Sequence, residues 1–387
     1  MLQSLRIQNF KLHEDTTIQF GGLTILTGMN GMGKSTILQS LLLLRQSFQS
    51  NRLKKSLNLR GELVDLGVSG KLACQAVDSD EMKLDLSYDD IAKSFTFKYP
   101  NDVLETYLPY IHGNYVNADY INKDEDKILS SLSKKNLFSE NFQYISAFRF
   151  GPMTTYGRDS AVVSQDRQIS KTQGKCEYTI HFLDQFKNMK ILEVLSLPDT
   201  SNKFNYQLGK QVELWLQAIS PNIHFNIETS GEDFKLNYSF DRENNLATQE
   251  MSAVNTGFGI SYLLPILVGI LSASPGALIL IENPEAHVHP KGQAILMELV
   301  AKAVKAGIQI VIETHSDHIV NGALVNVKRG VLSNEDIKVY FFNRDEHLHI
   351  ANTHKLEVTA RGQILRPPKD FFDQMQIDLR VLTGIDK

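Results

Sequence analysis

The chain has 387 residues, 42% of them apolar and 22% charged, and a formal net charge of −4. This length holds one large domain or two ordinary ones. The composition is that of a soluble globular protein and argues against a wholly basic nucleic-acid binder, while leaving room for a local basic face.

The opening residues MLQSLRIQNFKLHED have polar breaks and no apolar core segment, so they do not form a signal peptide. Leu2 to Phe10 alternates and predicts a strand, Ile18 to Phe20 a second, and Leu23 to Leu26 a third that ends at Gly28. A helix is expected from Lys34 through Ser47, apolar on most sides and therefore central. Residues 71–98 read as a strand ladder of KLACQAV, KLDLSYDD and KSFTFKY, and the polar stretch 101–140 as loops or short helices. YTIHFLDQF and VELWLQAI read as amphipathic helices, IHFNIET and FKLNYSF as strands. The apolar run Ile260 to Ile281 is long enough to suggest a membrane span. Ser272-Ala273-Ser274-Pro275-Gly276 splits it into a buried helix and a buried strand, which argues against a membrane. A strand at 277–281, a helix over 291–306, a strand at 308–312 and strands near 337–342 and 347–350 follow. This alternation implies a mainly parallel sheet. The expected fold is one α/β head assembled from residues 1–70 and 251–366, around a long α+β insertion at 71–250, with a tail at 367–387. Cys74 and Cys176 are far apart and no C-x-x-C exists, so plain thiols and a cytoplasmic setting are expected.

Gly28-Met29-Asn30-Gly31-Met32-Gly33-Lys34-Ser35-Thr36 matches G-x-x-x-x-G-K-[ST] in full, after a strand and before a helix. The glycines let backbone N–H groups wrap phosphates, so Asn30, Gly31, Gly33, Lys34, Ser35 and Thr36 are the expected nucleotide contacts. Lys34 is assigned to the β- and γ-phosphates and the Ser35 hydroxyl to Mg²⁺. Glu282 closes a continuously apolar strand and is expected beside the phosphate loop, holding Mg²⁺ through water. His287 and His289 share a face if extended, yet no third ligand has suitable spacing for zinc. His315 ends the next apolar strand, where it either donates to a γ-phosphate or stands idle beside a Ser316/Asp317 helix cap.

The ordered set of Phe10, GMNGMGKST, GELVDLG, SAFRFGP, NTGFGISYLLPIL, IENPEAHVHP, ETHSDH and PPKDFFDQ resembles the ABC-type ATPases of the overcoming-lysogenization-defect and Septu kind, relatives of the SMC and RecF heads. The likeness covers both ends of the chain and little of the middle. It implies an ABC-type P-loop ATPase head that closes head-to-tail over ATP and Mg²⁺ as a homodimer or higher oligomer. By that resemblance Asn255-Thr256-Gly257 replaces the Ser-x-Gly signature, with Asn255 and Gly257 reaching the γ-phosphate of the opposite subunit. His287 to His289 falls on the loop between subunits, His315 on the switch histidine, and Asp65-Leu66-Gly67 on the Q-loop, without its glutamine. Asn283 stands where the catalytic Glu is expected. An amide orients water but takes no proton, so Glu285 becomes the expected activator, with Asn283 positioning the water and turnover slow.

Relatives that carry their own nuclease have a C-terminal TOPRIM-type domain, for which no room is expected before residue 387. The leading expectation is thus an ATPase that regulates a separate effector, a nuclease, in an anti-phage defence complex. The alternative is an SMC/RecF-like DNA-binding ATPase of repair or recombination, for which Arg45, Arg52, Lys54, Lys55 and Arg60 form a stretch without an acid. That stretch reads equally as a solvated helix face and loop. A transporter motor normally carries a Ser-x-Gly signature and an Asp-Glu pair, and this sequence has neither at the matching places.

Overall fold

The computed structural model describes residues 1–112, 115–116, 123–242, 246–345 and 347–384. Its centre is a seven-stranded sheet. From one edge the order is Phe142–Ile145, Leu278–Glu282, Gln309–Thr314, Leu23–Gly28, Ile337–Arg344, Ala351–Val358 and Ile364–Leu365. The first five strands are parallel and the last two antiparallel, which makes the sheet mixed. A second, antiparallel sheet has the order His13–Gln19, Leu2–Phe10, Glu81–Tyr88, Ala92–Lys98.

Alternation of side chains along the strands explains the unbroken apolar runs. Leu278, Leu280 and Val311 face one core, and Ile279, Ile281, Ile310 and Ile312 face the other. The first core holds the helix Lys34–Gln49, packed between the two sheets, with Ile37 through Ser47 buried apart from Gln39. The second core holds the helices Thr179–Phe186, Leu208–Ile219, Phe258–Leu271, Pro290–Lys305 and Asp317–Lys328. Gln309 ties the sheets together: its side chain accepts from the Leu2 N–H at 3.0 Å and donates to the Leu2 carbonyl at 2.8 Å and the Gly21 carbonyl at 3.1 Å.

Several expected boundaries move. KLACQAV is not a strand: Ser69–Lys71 is a short 3-10 turn, and the following turns are held to the first hairpin by Lys11 N–H to Leu72 O and Cys74 N–H to the Asn9 side chain. The expected strand at 347–350 is a turn, and the strand spans Ala351–Val358. Glu81–Tyr88, Ala92–Lys98 and Phe142–Ile145, all expected within an insertion, are hydrogen-bonded into the two sheets that carry the N- and C-terminal strands. The polar stretch 101–140 contains the helix Lys123–Leu132, while residues 113–114 and 117–122 of it lie outside the described residues. Among the described residues no helix is long and apolar enough to cross a membrane.

Candidate active site

Parallel strands bring their C-terminal ends to one edge, and there the chain delivers Gly28, Ile145, Glu282 and Thr314 side by side. The loop after Gly28 is shaped by positive φ. Gly28 lies at 137° and Gly33 at 97°, regions that only glycine enters freely. A side chain at Gly28 would also collide with the Phe342 carbonyl, and one at Gly33 with the His13 ring. His13 is fully buried and backs the loop, its Nε2 3.0 Å from the Gly33 carbonyl and its Nδ1 2.9 Å from the Thr16 hydroxyl. Lys34 folds over the loop and donates to the carbonyls of Gly28 (2.9 Å) and Met29 (2.6 Å). Burial pulls its ammonium below the usual lysine value, against the opposing pull of Glu313 and Glu285.

Three carboxylates stand beyond the lysine, each held differently. Glu282 accepts from the Tyr144 hydroxyl at 2.9 Å and from the Ala147 N–H at 3.0 Å. Glu285 accepts from the Thr314 hydroxyl and the His315 N–H, both at 2.8 Å. Glu313 accepts from the Ser35 hydroxyl at 2.7 Å through Oε1, while its buried Oε2 has no partner. Burial, then the neighbouring Glu282 charge, pushes Glu313 up to about 7; burial also raises Glu282. His315 is half-buried against the Gly28 carbonyl, and burial and the Lys34 charge hold it below the usual imidazole value. Arg149, 1% exposed, locks this edge by donating to the carbonyls of Ser146, Tyr262, Glu282 and Asn283.

A sequence profile described as the AAA ATPase domain matches residues 1–320, with the loop, the acids and the histidine all inside the match. The chain belongs to the AAA ATPase domain family. A second profile, for a domain of unknown function, matches residues 332–382. Two short stretches of this AAA ATPase resemble curated DNA double-strand break repair Rad50 ATPases: 44% identical over 43 residues in Sulfolobus acidocaldarius and 35% identical over 71 residues in Archaeoglobus fulgidus. These stretches cover 11% and 18% of the chain and only 5% and 7% of the relatives. Among solved structures, an SMC head bound to the C-winged helix domain of ScpA superposes with a TM-score of 0.53 at 11% identity, covering 92% of this chain and 97% of that one. An SMC head with an extended coiled coil, bound to the C-terminal domain of ScpA from Pyrococcus furiosus, gives 0.50 at 10% identity, covering 100% and 99%. The fold is therefore that of the ABC-type SMC head.

Within this AAA ATPase the expected site residues fall out as follows. Gly31, Gly33, Lys34, Ser35 and Thr36 form the loop and helix start with Asn30. Glu282 ends the strand one further out from the loop strand, and the acid of the intervening strand Gln309–Thr314, Glu313, reaches Ser35. Each oxygen of Glu285 accepts one hydrogen bond from the corner bearing His315. The Ser316 hydroxyl caps the helix Asp317–Lys328, while His315 faces Gly28. Asn255 and Gly257 are exposed at the N-terminus of the helix Phe258–Leu271, where Gly257 is the cap residue. His287 packs on Phe258 and Tyr262 of that helix, at ring distances of 5.7 and 4.7 Å, and the His289 side chain caps the next.

One expectation fails and another is weakened. The segment Asp65-Leu66-Gly67 is attached near Gln46, whose side chain accepts from the Val64 N–H. That is the far part of the loop helix, about 18 Å from Lys34 at 1.5 Å per residue; the Tyr144–Arg149 segment approaches the acids instead. Arg45 cannot serve a basic face. It is 3% exposed, donates to the carbonyls of Leu137 and Ser139, and lies over the Phe142 ring. Arg60 pairs with Asp65.

Sequence reasoning missed Glu313, Tyr144, Arg149 and His13. Glu313 had a readable signal, an acid closing a buried apolar strand, the same pattern as Glu282. Its orphaned oxygen beside a hydroxyl is an all-oxygen donor set that suits Mg²⁺. Among the described residues no three His, Cys, Asp or Glu side chains gather to hold a metal alone. The residues therefore fit a cation that shares its ligands with a phosphate, as Mg²⁺ commonly does.

Proposed function

We propose that this chain binds ATP at Gly28–Thr36, closes head-to-tail with a second copy, hydrolyses the nucleotide slowly, and thereby regulates a separate effector, a nuclease of an anti-phage complex. The observation that carries the reading is the convergence of a complete phosphate loop, His315 and Asn283 on one sheet edge. Lys34 would exchange the Gly28 and Met29 carbonyls for phosphate oxygens. Mg²⁺, when bound beside Ser35, would neutralise charge on the β- and γ-phosphates. Glu285 positions His315 through its backbone N–H, so the imidazole can donate to the γ-phosphate. Asn283 orients water without removing its proton, and Glu285 is shared with Thr314 and His315, so proton removal is slow. The exposed helix start at Asn255 and Gly257 favours an anion presented by the partner copy.

The ordered motif set supports the defence-type reading, and the two similar SMC heads, each bound to a ScpA domain, support a protein partner. A DNA-binding role is favoured by the name of the Rad50 relatives, while the burial of Arg45 weakens its basic stretch. The test is ATP turnover of the purified chain together with co-purification of the adjacent gene's product. Turnover below the enzyme median of about 10 s⁻¹, abolished in Lys34→Ala, is expected. Faster turnover, or duplex DNA bound by the chain with no protein partner, contradicts the proposal.

A further inference from the structure

We propose that residues 367–374 form an autoinhibitory strap beside the phosphate loop, displaced when a nucleoside triphosphate sets its terminal phosphate next to His315. This rests on the nucleotide-binding reading above and gives a role to a segment that reading leaves unused. A cavity of about 320 Å³ is bounded on one side by Gly28, Met29 and His315, and on the other by Asp370, Phe372 and Asp373. The first group is the start of the loop with the corner histidine, and the second belongs to the strap. The strap is anchored on Phe341, in the strand Ile337–Arg344 that pairs with the loop strand, so anchor and loop share one sheet. Both anchor and strap fall within residues 332–382, beyond the AAA ATPase match.

The hold on the strap is weak. Phe371 lies edge-on to Phe341 at 5.7 Å and to Phe372 at 4.9 Å, and both strap rings are half-buried on the core that includes Phe341. Among the described residues the strap makes no hydrogen bond or ion pair to earlier parts of the chain. Its bonds are local: the Phe371 N–H donates to the Pro368 carbonyl at 3.3 Å, and the Asp370 N–H to the Asp373 carboxylate at 3.1 Å. Arg366, Asp370 and Phe372 sit at φ 49°, 66° and 54°. Residues with a side chain enter that left-handed region at a cost, greater for a bulky ring. The helix Gln374–Leu382 that follows exposes Met375, Leu379 and Leu382 and adds no grip. A segment fixed by few apolar contacts opens at low free-energy cost. Asp370 and Asp373 set two negative charges across the cavity from the loop. The bare loop offers N–H groups and the Lys34 ammonium, which tolerate acids nearby. A terminal phosphate there reverses the sign of the interaction. A cavity of this size spans roughly one screening length, about 8 Å at physiological salt, so like charges on its two sides repel.

The test is limited chymotrypsin cleavage of the full chain at Phe371 and Phe372, with a non-hydrolysable ATP analogue, with ADP and without nucleotide. Cleavage elsewhere in the chain serves as the control for folding. The analogue with Mg²⁺ is expected to speed cleavage at these rings roughly 10-fold, a typical coupling between two sites, while ADP leaves it unchanged. The double variant Asp370→Asn, Asp373→Asn keeps the acceptor at residue 373 and removes only charge. Its cleavage should no longer respond to the analogue, and by reciprocity it should bind the analogue more tightly than the wild type, with ADP affinity unchanged. Phe371→Ala loosens the strap without touching its charges. It should be cleaved at Phe372 quickly in every state and also bind the analogue more tightly. Cleavage slowed or unchanged by the analogue, an undiminished response in the double variant, or wild-type analogue affinity in both variants would overturn the strap and leave the ATP reading standing. A wild-type chain that binds no nucleotide under any condition would remove the ATP reading, and the strap with it.

Discussion

Asn283 lies at φ 45°, in the left-handed region, with its N–H bonded to the Glu313 carbonyl and its own carbonyl taken by Arg149. Asn tolerates that backbone better than other non-glycine residues. The residue is thus doubly accounted for, as a turn former and as an amide where a base is expected. Asn283→Ala should cost about 1 kcal/mol from the left-handed conformation alone, read by urea unfolding, while Asn283→Gly should cost less. Glu285→Gln should reduce turnover by loosening His315, and a wild-type rate in that variant would dismiss the brace. Arg149→Met removes the side-chain donor from four carbonyls, of which Ser146 and Asn283 keep a backbone N–H, and should destabilise the fold by about 2 kcal/mol or more, read by the same unfolding curve. The absent acid at Asn283 was legible in the sequence. The commitment of Glu285 to His315 was not, because it depends on a contact between two strand ends that are far apart in the chain.

At the level of elements, the sheet strands were legible where both faces are buried, since residues 278–281 and 310–312 read as unbroken apolar runs. KLACQAV was misread because its alternation mimics a strand while the Cys74 N–H and the Leu72 carbonyl bond the first hairpin. No local pattern could announce that Glu81–Tyr88 pairs with Leu2–Phe10. Gln309, the polar residue that starts its strand, is 1% exposed and stitches both sheets. Gln309→Ala should therefore cost about 2 kcal/mol, within the range for leaving buried backbone groups unpaired. His224 joins the strand Ile223–Ser230 to the helix Leu208–Ile219 and the far hairpin strand. It bonds Asp241 at 2.8 Å and Glu213 at 2.7 Å, with Lys210 also on Glu213. The hydrogen bond to Asp241, followed by Glu213, raises its pKa above the usual imidazole value. A raised folded pKa means that the contribution is full below the unfolded value near 6.5 and fades as pH rises through the folded one. The stability gap between wild type and His224→Gln should accordingly be wider at pH 6 than at pH 8; a gap that grows with pH would refute it.

On the scale of the whole molecule, the two ends of the sequence meet in one sheet, and the loop strand at its centre is flanked by strands from the C-terminal third. That arrangement places the phosphate loop, the acids and His315 on a single edge. The proposed assembly rests on the exposed helix start at Gly257. Holding ATP longer than it is consumed would suit a head that signals by staying closed. The most direct test is the native mass of the chain with and without saturating Mg²⁺-ATP. The account predicts a shift from the 43.7 kDa chain to at least twice that mass with ATP. The shift should persist over the lifetime of the bound nucleotide and be lost in Lys34→Ala. A chain that binds ATP and keeps the same mass would contradict it.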